Sequence, residues 1–302
     1  MLLTTSSFLN GSTVLVIQAA FILGAIIGSF INVVVYRLPI MLKRNWHKQS
    51  LEMIAEVTGH DHSITEGIPE PDKAQFNLMT PRSACPNCKS NIKPWHNIPI
   101  AGYFLLRGKC ALCRQPISKR YPVIETTTAL LTSFVILILG PNLHGLAGCF
   151  LLWALTALSL IDFDTQLLPD DITLPFLWIG LMVNYFGLVT SFENAFWGAC
   201  AGYCSLWTVF QFFKLITGKE SMGYGDFKLL AMLGAWLGIH MIPLIIFLSS
   251  CAGAIIGGLM ILFGYEKTKP IAFGPFLAAA GLISLLCGNE LINVYLSLSF
   301  KN

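Results

Sequence analysis

Charged residues are scarce in this chain of 302 residues, and the scarcity limits what the protein can be. Only 12% of the residues are Asp, Glu, Lys or Arg and 55% are hydrophobic, whereas about one quarter of an ordinary soluble protein is charged. The first 36 residues carry none of these four types, and Arg37 is the first charged side chain. These figures exclude a disordered chain, a coiled coil and an ordinary cytosolic enzyme. They leave a polytopic membrane protein.

Several motifs of known catalytic classes are also missing. The sequence has no His-Glu-x-x-His, which excludes that class of zinc metalloprotease, and no P-loop or Rossmann glycine pattern. It lacks the Gly-x-Ser-x-Gly of serine hydrolases. The net charge of +3 is too small to indicate a nucleic-acid partner. The Gly-x-x-x-Gly pairs Gly24/Gly28 and Gly253/Gly257 indicate helix packing.

Long apolar runs are what the chain has instead of charge. A helix needs about 20 apolar residues to cross the hydrocarbon core of a bilayer. The first run lacks the basic start of a secretory signal peptide, so we expect it to remain as an anchor. The predicted spans are 14–36, 121–140, 144–161, 172–190, 194–213, 226–240, 242–264 and 271–291.

These spans predict an all-α polytopic membrane protein with about eight transmembrane helices. The first helix lies in residues 1–36. A polar insertion follows in residues 37–120, and a seven-helix domain occupies residues 121–302. Residues 47–80 within the insertion are polar and are predicted to form a surface or a loop, with one or two helical turns near 50–57.

Positive charge is concentrated on one side of these spans. Thirteen of the 19 Lys and Arg residues lie within residues 37–120. With eight spans, five of the remaining six fall on the same side, and only Lys301 falls on the other. The positive-inside rule therefore predicts that residues 37–120 are cytoplasmic and that the N-terminus is outside. A count with one span fewer would scatter the lysines over both sides.

Four of the nine cysteines lie in the insertion, as the pairs Cys85-x-x-Cys88 and Cys110-x-x-Cys113 with 21 residues between them. Two such pairs at this distance are typical of a tetrahedral zinc site. Four thiolates leave no open position for water, so we predict a structural Zn²⁺ that holds a small block together. Unpaired thiols and a redox pair are the alternatives, and the cytoplasmic placement argues against disulfides.

Acidic residues at the spans are the candidates for chemistry, because a carboxylate in a membrane needs a specific reason. Asp162 and Asp164 end the third span and Asp226 opens the sixth, both at the cytoplasmic face by the predicted topology. Two facing carboxyl groups can share a proton, so that one activates water while the other polarises a carbonyl group. The alternative is that Asp162 belongs to an interfacial helix end and that Asp226 caps a helix.

Three other residues accompany these acids. Gly223 and Gly225 precede Asp226 and allow a backbone or a substrate to approach closely. Glu125 lies just inside the second span. It is either an interfacial residue paired with Lys119 or Arg120, or a residue of the site.

A series of motifs resembles the bacterial type IV prepilin peptidases, which are bifunctional leader peptidases and N-methyltransferases and GxGD-type intramembrane aspartyl proteases. The motifs follow one another nearly from end to end of the chain. They are Gly28-Ser29-Phe30-Ile31-Asn32, the two cysteine pairs, Pro94-Trp95-His96-Asn97, Lys119-Arg120-Tyr121-Pro122, Ile161-Asp162-Phe163-Asp164, Met222-Gly223-Tyr224-Gly225-Asp226 and Phe273-Gly274-Pro275-Phe276.

The resemblance implies that Asp162 and Asp226 are the catalytic acids, since the family pattern has its first acid directly after Ile161. It implies that the protein removes the basic leader of prepilins and pseudopilins after a Gly, at the cytoplasmic face of the bacterial inner membrane, with its own N-terminus in the periplasm. It further implies methylation of the new N-terminal residue, usually Phe, by S-adenosylmethionine. The family associates methylation with the insertion, including Gly108, for which a tight turn into the second cysteine pair is the alternative explanation.

Two other functions stay open at the level of the residues. A proton- or cation-coupled transporter with a zinc-stabilised cytoplasmic domain would place an acid near the bilayer midplane, whereas these acids cluster at one face. A non-catalytic assembly factor with a zinc module would keep its function when Asp162 and Asp226 are replaced by Asn.

Overall fold

Helices account for almost all of the regular structure. The computed structural model describes residues 11–58, 76–218, 222–263 and 271–299, and within these it contains nine α-helices and no β-strand. The helices are α1 (Gly11–Thr58), α2 (Ala101–Leu105), α3 (Arg120–Leu139), α4 (Leu143–Thr165), α5 (Asp170–Tyr185), α6 (Phe192–Thr217), α7 (Tyr224–Leu237), α8 (Ile242–Leu262) and α9 (Gly274–Ser299). The all-α prediction is confirmed.

Eight long helices correspond one to one with the eight predicted spans. Six of them, α1, α3, α4, α6, α8 and α9, are long and apolar enough to cross a membrane. The other two are shorter, since α5 has 16 residues and α7 has 14. The chain is therefore an integral membrane protein with several spanning helices.

Helix α1 is longer than the sequence analysis predicts. It runs without interruption from Gly11 to Thr58, although the predicted span ends at residue 36 and a surface or loop was expected from residue 47. Loss of hydrophobicity ends a span but does not end a helix. Residues 37–58 contain no glycine and a single proline, Pro39, and Lys48 forms an ion pair with Glu52 one turn later at 3.6 Å.

The chain divides into two compact units. We call Met1–Gly24 with Thr127–Asn302 the helical body, and Ala25–Thr126 the insertion unit. The domain limits predicted from the sequence, at residues 36 and 120, stay a prediction.

Helix α7 is the most enclosed element of the helical body. All its residues from Asp226 to Leu237 are buried except Lys228. A helix that is apolar on every side must be surrounded by other elements. Helices α5, α6 and α9 surround α7, and side chains of α4, α7 and α9 share one apolar core.

Glycines bring the backbones of α6 and α7 into direct contact. A Cβ added to Gly198 of α6 would collide with the carbonyl oxygen of Gly234 in α7. A Cβ on Gly202, one turn later in α6, would lie 2.5 Å from the carbonyl oxygen of Leu230. This is the small-residue packing by which membrane helices approach closely. It fixes the position of α7 and of the acid near its start.

Candidate active site

Asp162 lies at the end of α4 and is almost completely buried, with 5% of its surface exposed. The helix ends three residues later because Gln166 adopts the left-handed conformation, with φ of 54°, and donates its N–H to the Asp162 carbonyl oxygen. Asp164 is exposed although it is only two residues away. Helical geometry thus separates the two acids, because residues two apart lie on different faces of a helix.

Asp226 lies in the first turn of α7 and is also buried, with 8% of its surface exposed. Its helix begins at Tyr224, and Gly223 occupies the N-cap position. The alternative that Asp226 itself is the N-cap is therefore wrong. Its backbone N–H donates to the Gly223 carbonyl oxygen at 3.2 Å, and its carboxyl group lies within the body.

The two acids lie at helix ends that are in contact, since Asp162 is in the last turn of α4 and Asp226 is in the first turn of α7. The turn after α4 and the start of α7 are in contact, because a Cβ on Gly225 would lie 2.7 Å from the Cβ of Leu168. Gly225 is thus a position where the site requires the absence of a side chain, whereas a Cβ on Gly223 would meet no atom within 4 Å.

Gly274 is a third component of the site, and its motif alone did not predict this role. Its backbone N–H donates to the Asp162 carboxylate (Oδ2) at 2.9 Å. Gly274 begins α9, so this N–H belongs to the first turn, whose donors have no partner within the helix. A Cβ on Gly274 would lie 2.6 Å from the same oxygen. The residue must therefore be a glycine for the contact to exist.

The sequence does indicate that a helix begins at Gly274. Gly274 follows Phe273 and precedes Pro275, and proline in the first turn is a common mark of a helix start. What the sequence could not give is the partner, which lies 112 positions earlier in the chain.

An ion pair fixes the same end of α7 to α5. The Lys228 ammonium group contacts both carboxylate oxygens of Asp170, at 2.7 and 2.8 Å. Asp170 is the first residue of α5. This pair and the Gly225 contact hold the first turn of α7 from two sides.

The four cysteines of the insertion unit form a cluster that fits a metal ion. Their sulfur atoms all lie within 4.8 Å of one another, and the Cys85 and Cys113 sulfurs are 3.7 Å apart. Four sulfurs at about 2.3 Å from Zn²⁺ in a tetrahedron are separated by about 3.8 Å. Hydrogen bonds from the Ser90 hydroxyl and N–H groups lower the pKa of the Cys88 thiol to about 6. Cys88 is thus readily available as the thiolate that a metal binds.

The two cysteine pairs are copies of one local structure. In each, the N–H group four residues after the first cysteine donates to its carbonyl oxygen: Lys89 to Cys85, and Arg114 to Cys110. Lys89 and Arg114 both have left-handed backbones, with φ of 57° and 59°. The sequence repeats accordingly, as Cys-x-x-Cys, a basic residue, two further residues and Ile, over residues 85–92 and 110–117. This short repeat is visible in the sequence but was not among the predictions.

Gly108 lies where the chain enters the second of these turns. Its φ is +67°, and an added Cβ would lie 2.8 Å from the Tyr103 hydroxyl oxygen. Its carbonyl oxygen accepts the Ile117 N–H at 2.8 Å, which closes the turn. This geometry gives the turn explanation of Gly108 a physical basis, and its association with methylation stays a prediction.

Glu125 is buried in the insertion unit at the start of α3. Its carboxylate accepts the backbone N–H of Ile100 at 2.6 Å and a hydrogen bond from Ser29. Ile100 has a φ of +61°, which is rare for a β-branched residue. Neither partner was foreseen, because the sequence suggested Lys119 or Arg120.

Two regions of the chain match models of known protein families. The family model described as the bacterial peptidase A24 N-terminal domain matches residues 22–139, and that of the type IV leader peptidase family matches residues 149–258. A protein from Pseudomonas aeruginosa is 51% identical over 277 residues, covering 91% of this chain and 91% of the relative. This chain belongs to the type IV leader peptidase family.

Other relatives in the family are similar over nearly their whole length. Proteins from Stutzerimonas stutzeri and Aeromonas hydrophila are both 47% identical, covering 97% and 95% of this chain and 98% and 96% of the relatives. All three relatives are named prepilin leader peptidase/N-methyltransferase. No solved structure matches the chain. The family assignment favours the peptidase over the transporter.

The predicted site residues lie in two different regions, each matched by one of the family models. Asp162 and Asp226 lie in the region matched by the type IV leader peptidase model. The cysteine cluster, Gly108 and Glu125 lie in the region matched by the N-terminal model. Gly274 lies outside both.

Proposed function

We propose that this protein cleaves the basic leader from prepilins and pseudopilins after a Gly and then methylates the new N-terminal residue, usually Phe. The observation that carries the proposal is the pair of buried acids, Asp162 and Asp226, at two helix ends that are in contact, in a chain of this family. Asp162 and Asp226 are the proposed catalytic residues.

In the proposed cleavage, Asp162 and Asp226 have different roles, one as a base and the other as an acid. The Asp162 carboxylate accepts an N–H group at the start of α9, where the helix dipole also favours a negative charge. It therefore acts as the base that takes a proton from water. Asp226 in its protonated form donates to the oxygen of the scissile carbonyl group, whose carbon the water oxygen attacks. The carbon–nitrogen bond then breaks, and the leaving amine takes the proton.

The shape of a prepilin suits this site. Its basic leader is followed by a long apolar helix, so the helix can lie among the spans while the leader stays in water. We place the scissile bond at the cytoplasmic face of the bacterial inner membrane, with residues 37–120 cytoplasmic and the N-terminus periplasmic. The split of Lys and Arg residues supports this orientation.

S-adenosylmethionine is the proposed methyl donor. When bound, S-adenosylmethionine would supply the methyl group to the new N-terminal nitrogen, which would lose a proton. We assign this step to the insertion unit, with Gly108 as an associated residue. Glu125 and the glycines 223 and 225 are proposed as supporting residues, and Glu125 acts by fixing Ile100.

A structural zinc ion completes the proposal. Cys85, Cys88, Cys110 and Cys113 would hold it, and its contribution is to join two turns that have little apolar core between them. No step of either reaction passes through this ion.

The two activities are tested together by mass spectrometry of a prepilin incubated with the purified protein. With no methyl donor, we expect a product that begins directly after the Gly. With S-adenosylmethionine, the same product gains the mass of one methyl group. An intact prepilin under both conditions would contradict the proposal, and proton flux through liposomes containing the protein would then favour the transporter.

A further inference from the structure

The insertion unit carries an exposed apolar segment that neither proposed activity explains. We call residues 95–106 the apolar segment; it includes α2 and most of the short 3₁₀ turn Pro94–Asn97. Trp95, Ile98, Phe104 and Leu105 are exposed on it, the last two to 69% and 71%. Four large apolar side chains exposed within 12 residues indicate an interaction surface.

A partly buried hydrogen bond joins this segment to the start of α3. The N–H of Ile100 donates to the carboxylate of Glu125, which is five residues beyond the start of α3 at Arg120. At 1.5 Å per residue, Glu125 lies about 7.5 Å along the helix axis. Helix α3 has 20 residues, the length that crosses the hydrocarbon core, and it begins with the basic Arg120. With Arg120 at the membrane surface, Ile100 would lie below that surface.

The backbone at this point is strained, which shows that the attachment is specific. Ile100 forms the centre of a tight turn with φ of 61° and ψ of −57°, closed by a hydrogen bond from Ala101 N–H to the Pro99 carbonyl oxygen. Such turns are rare because they cost free energy. The close packing of Gly102 against the His96 carbonyl group keeps the two arms of the segment together.

The charge around the segment favours one kind of partner. Residues 73–124 contain nine Lys and Arg residues and no Asp or Glu. Arg107 and Lys109 follow α2 directly and are exposed, and the Lys93 ammonium group lies 5.4 Å from the centre of the Trp95 ring. A basic surface repels a basic prepilin leader, whereas it attracts anionic lipid headgroups. Tryptophan with flanking basic residues is also typical of the interface between membrane and water.

We infer that the apolar segment is inserted into the bilayer surface and seats the insertion unit on anionic lipids. Phe104 and Leu105 enter the region between headgroups and acyl chains, while Arg107 and Lys109 contact lipid phosphates. The inference concerns a lipid-binding surface and does not depend on either proposed activity.

Photocrosslinking of the full-length protein in lipid nanodiscs tests this directly. We would place p-benzoylphenylalanine at Phe104 or Leu105, and at Val57 as the control. Val57 is an apolar residue of the same unit that is more exposed than Phe104 and Leu105. It lies 20 residues beyond Arg37 along the continuous α1, which is about 30 Å of helix. After illumination, we expect phospholipid adducts at positions 104 and 105 that are at least fivefold more abundant than at position 57.

The lipid composition and the identity of the adduct decide the result. Replacing anionic phosphatidylglycerol by phosphatidylcholine is expected to lower the yield at position 104 severalfold, and equal yields would contradict the role of the basic residues. No lipid adduct at positions 104 and 105 would overturn the inference. So would a crosslink there to a second copy of this protein or to an added prepilin, since the surface would then be a protein interface.

Discussion

At the residue scale, the contact between Gly274 and Asp162 gives the most specific expectation. A methyl group at position 274 would lie 2.6 Å from the Asp162 carboxylate, so Gly274→Ala must displace that group or the start of α9. A hydrogen bond to a charged group contributes about 1.5–3 kcal/mol. We therefore expect the cleavage rate to fall roughly 10- to 150-fold, measured as kcat on a prepilin in detergent.

The matched control for this change is Gly258→Ala in α8. An added Cβ there meets no atom within 4 Å. This variant is expected to cleave at the wild-type rate. Equal kcat values for Gly274→Ala and Gly258→Ala would show that the contact with Asp162 has no part in catalysis.

The two glycines before Asp226 are expected to behave differently. A Cβ on Gly225 would collide with Leu168, whereas the space around Gly223 is open. Gly225→Ala should lower the melting temperature and the cleavage rate, because it separates the turn after α4 from α7. Gly223→Ala should leave the melting temperature unchanged. Thermal unfolding of both variants in the same detergent makes the comparison, and equal melting temperatures would contradict this account of Gly225.

The identity of the candidate acids could be predicted from the sequence, but their environment could not. Aspartates stand out in apolar spans, and the motifs around Asp162 and Asp226 are specific. The structure is what distinguishes Asp162 from Asp164, because Asp162 is buried and Asp164 is exposed. The hydrogen bonds of Glu125 and Asp162 to backbone N–H groups could not be predicted, because every residue except proline has such a donor and the sequence does not show which one faces a carboxylate.

At the scale of the elements, the contact between α6 and α7 is expected to be indispensable. Gly202 faces the Leu230 carbonyl oxygen, so Gly202→Val would push α7 away from α6. Overpacking of this kind costs about 1–3 kcal/mol. We expect a lower melting temperature together with a loss of cleavage, since α7 carries Asp226.

Its control is Gly253→Ala in α8, where an added Cβ makes only ordinary contacts at 3.7 Å with Phe273 and Phe276. That variant should retain both stability and activity. If Gly202→Val were as stable and active as Gly253→Ala, the close approach of the two helices would not be what positions Asp226.

The number of long helices could be predicted from the apolar runs, but their ends could not. Helix α1 continues to Thr58 because polar residues extend a helix as well as apolar ones do. The Gly-x-x-x-Gly of Gly198 and Gly202 went unnoticed, although it lies at a tighter contact than Gly253 and Gly257. Spacing alone does not say which glycines face a neighbouring backbone.

At the scale of the whole molecule, the insertion unit is expected to depend on its metal. Purified protein should contain a single zinc ion per chain, measured by inductively coupled plasma mass spectrometry. Cys110→Ser should lose most of that zinc, since three ligands bind more weakly than four. Cys149→Ser, which changes a buried cysteine of α4, should retain it. Equal zinc contents in the two variants would contradict the assignment of the ligands.

The insertion unit extends beyond the polar stretch of the sequence at both ends. The sequence predicts an insertion because its charge differs from that of the spans. The compact unit nevertheless includes part of α1 and the start of α3, because Asn32 donates to the Tyr121 carbonyl oxygen and Arg37 donates to the carbonyl oxygens of Asn77 and Pro81. The composition of the chain changes where its surroundings change from membrane to water. The limits of a compact unit depend instead on which residues pack together.

The central claim is that Asp162 and Asp226 together cleave the substrate. The most direct measurement compares prepilin cleavage by Asp162→Asn, Asp226→Asn and Asp164→Asn, with zinc content as the check that each variant has folded its insertion unit. We expect the first two variants to lose cleavage completely, whereas Asp164→Asn, a change at an exposed residue of α4, should cleave normally. Equal cleavage by all three variants would contradict the account, and the acids would then be helix-end residues or ion ligands.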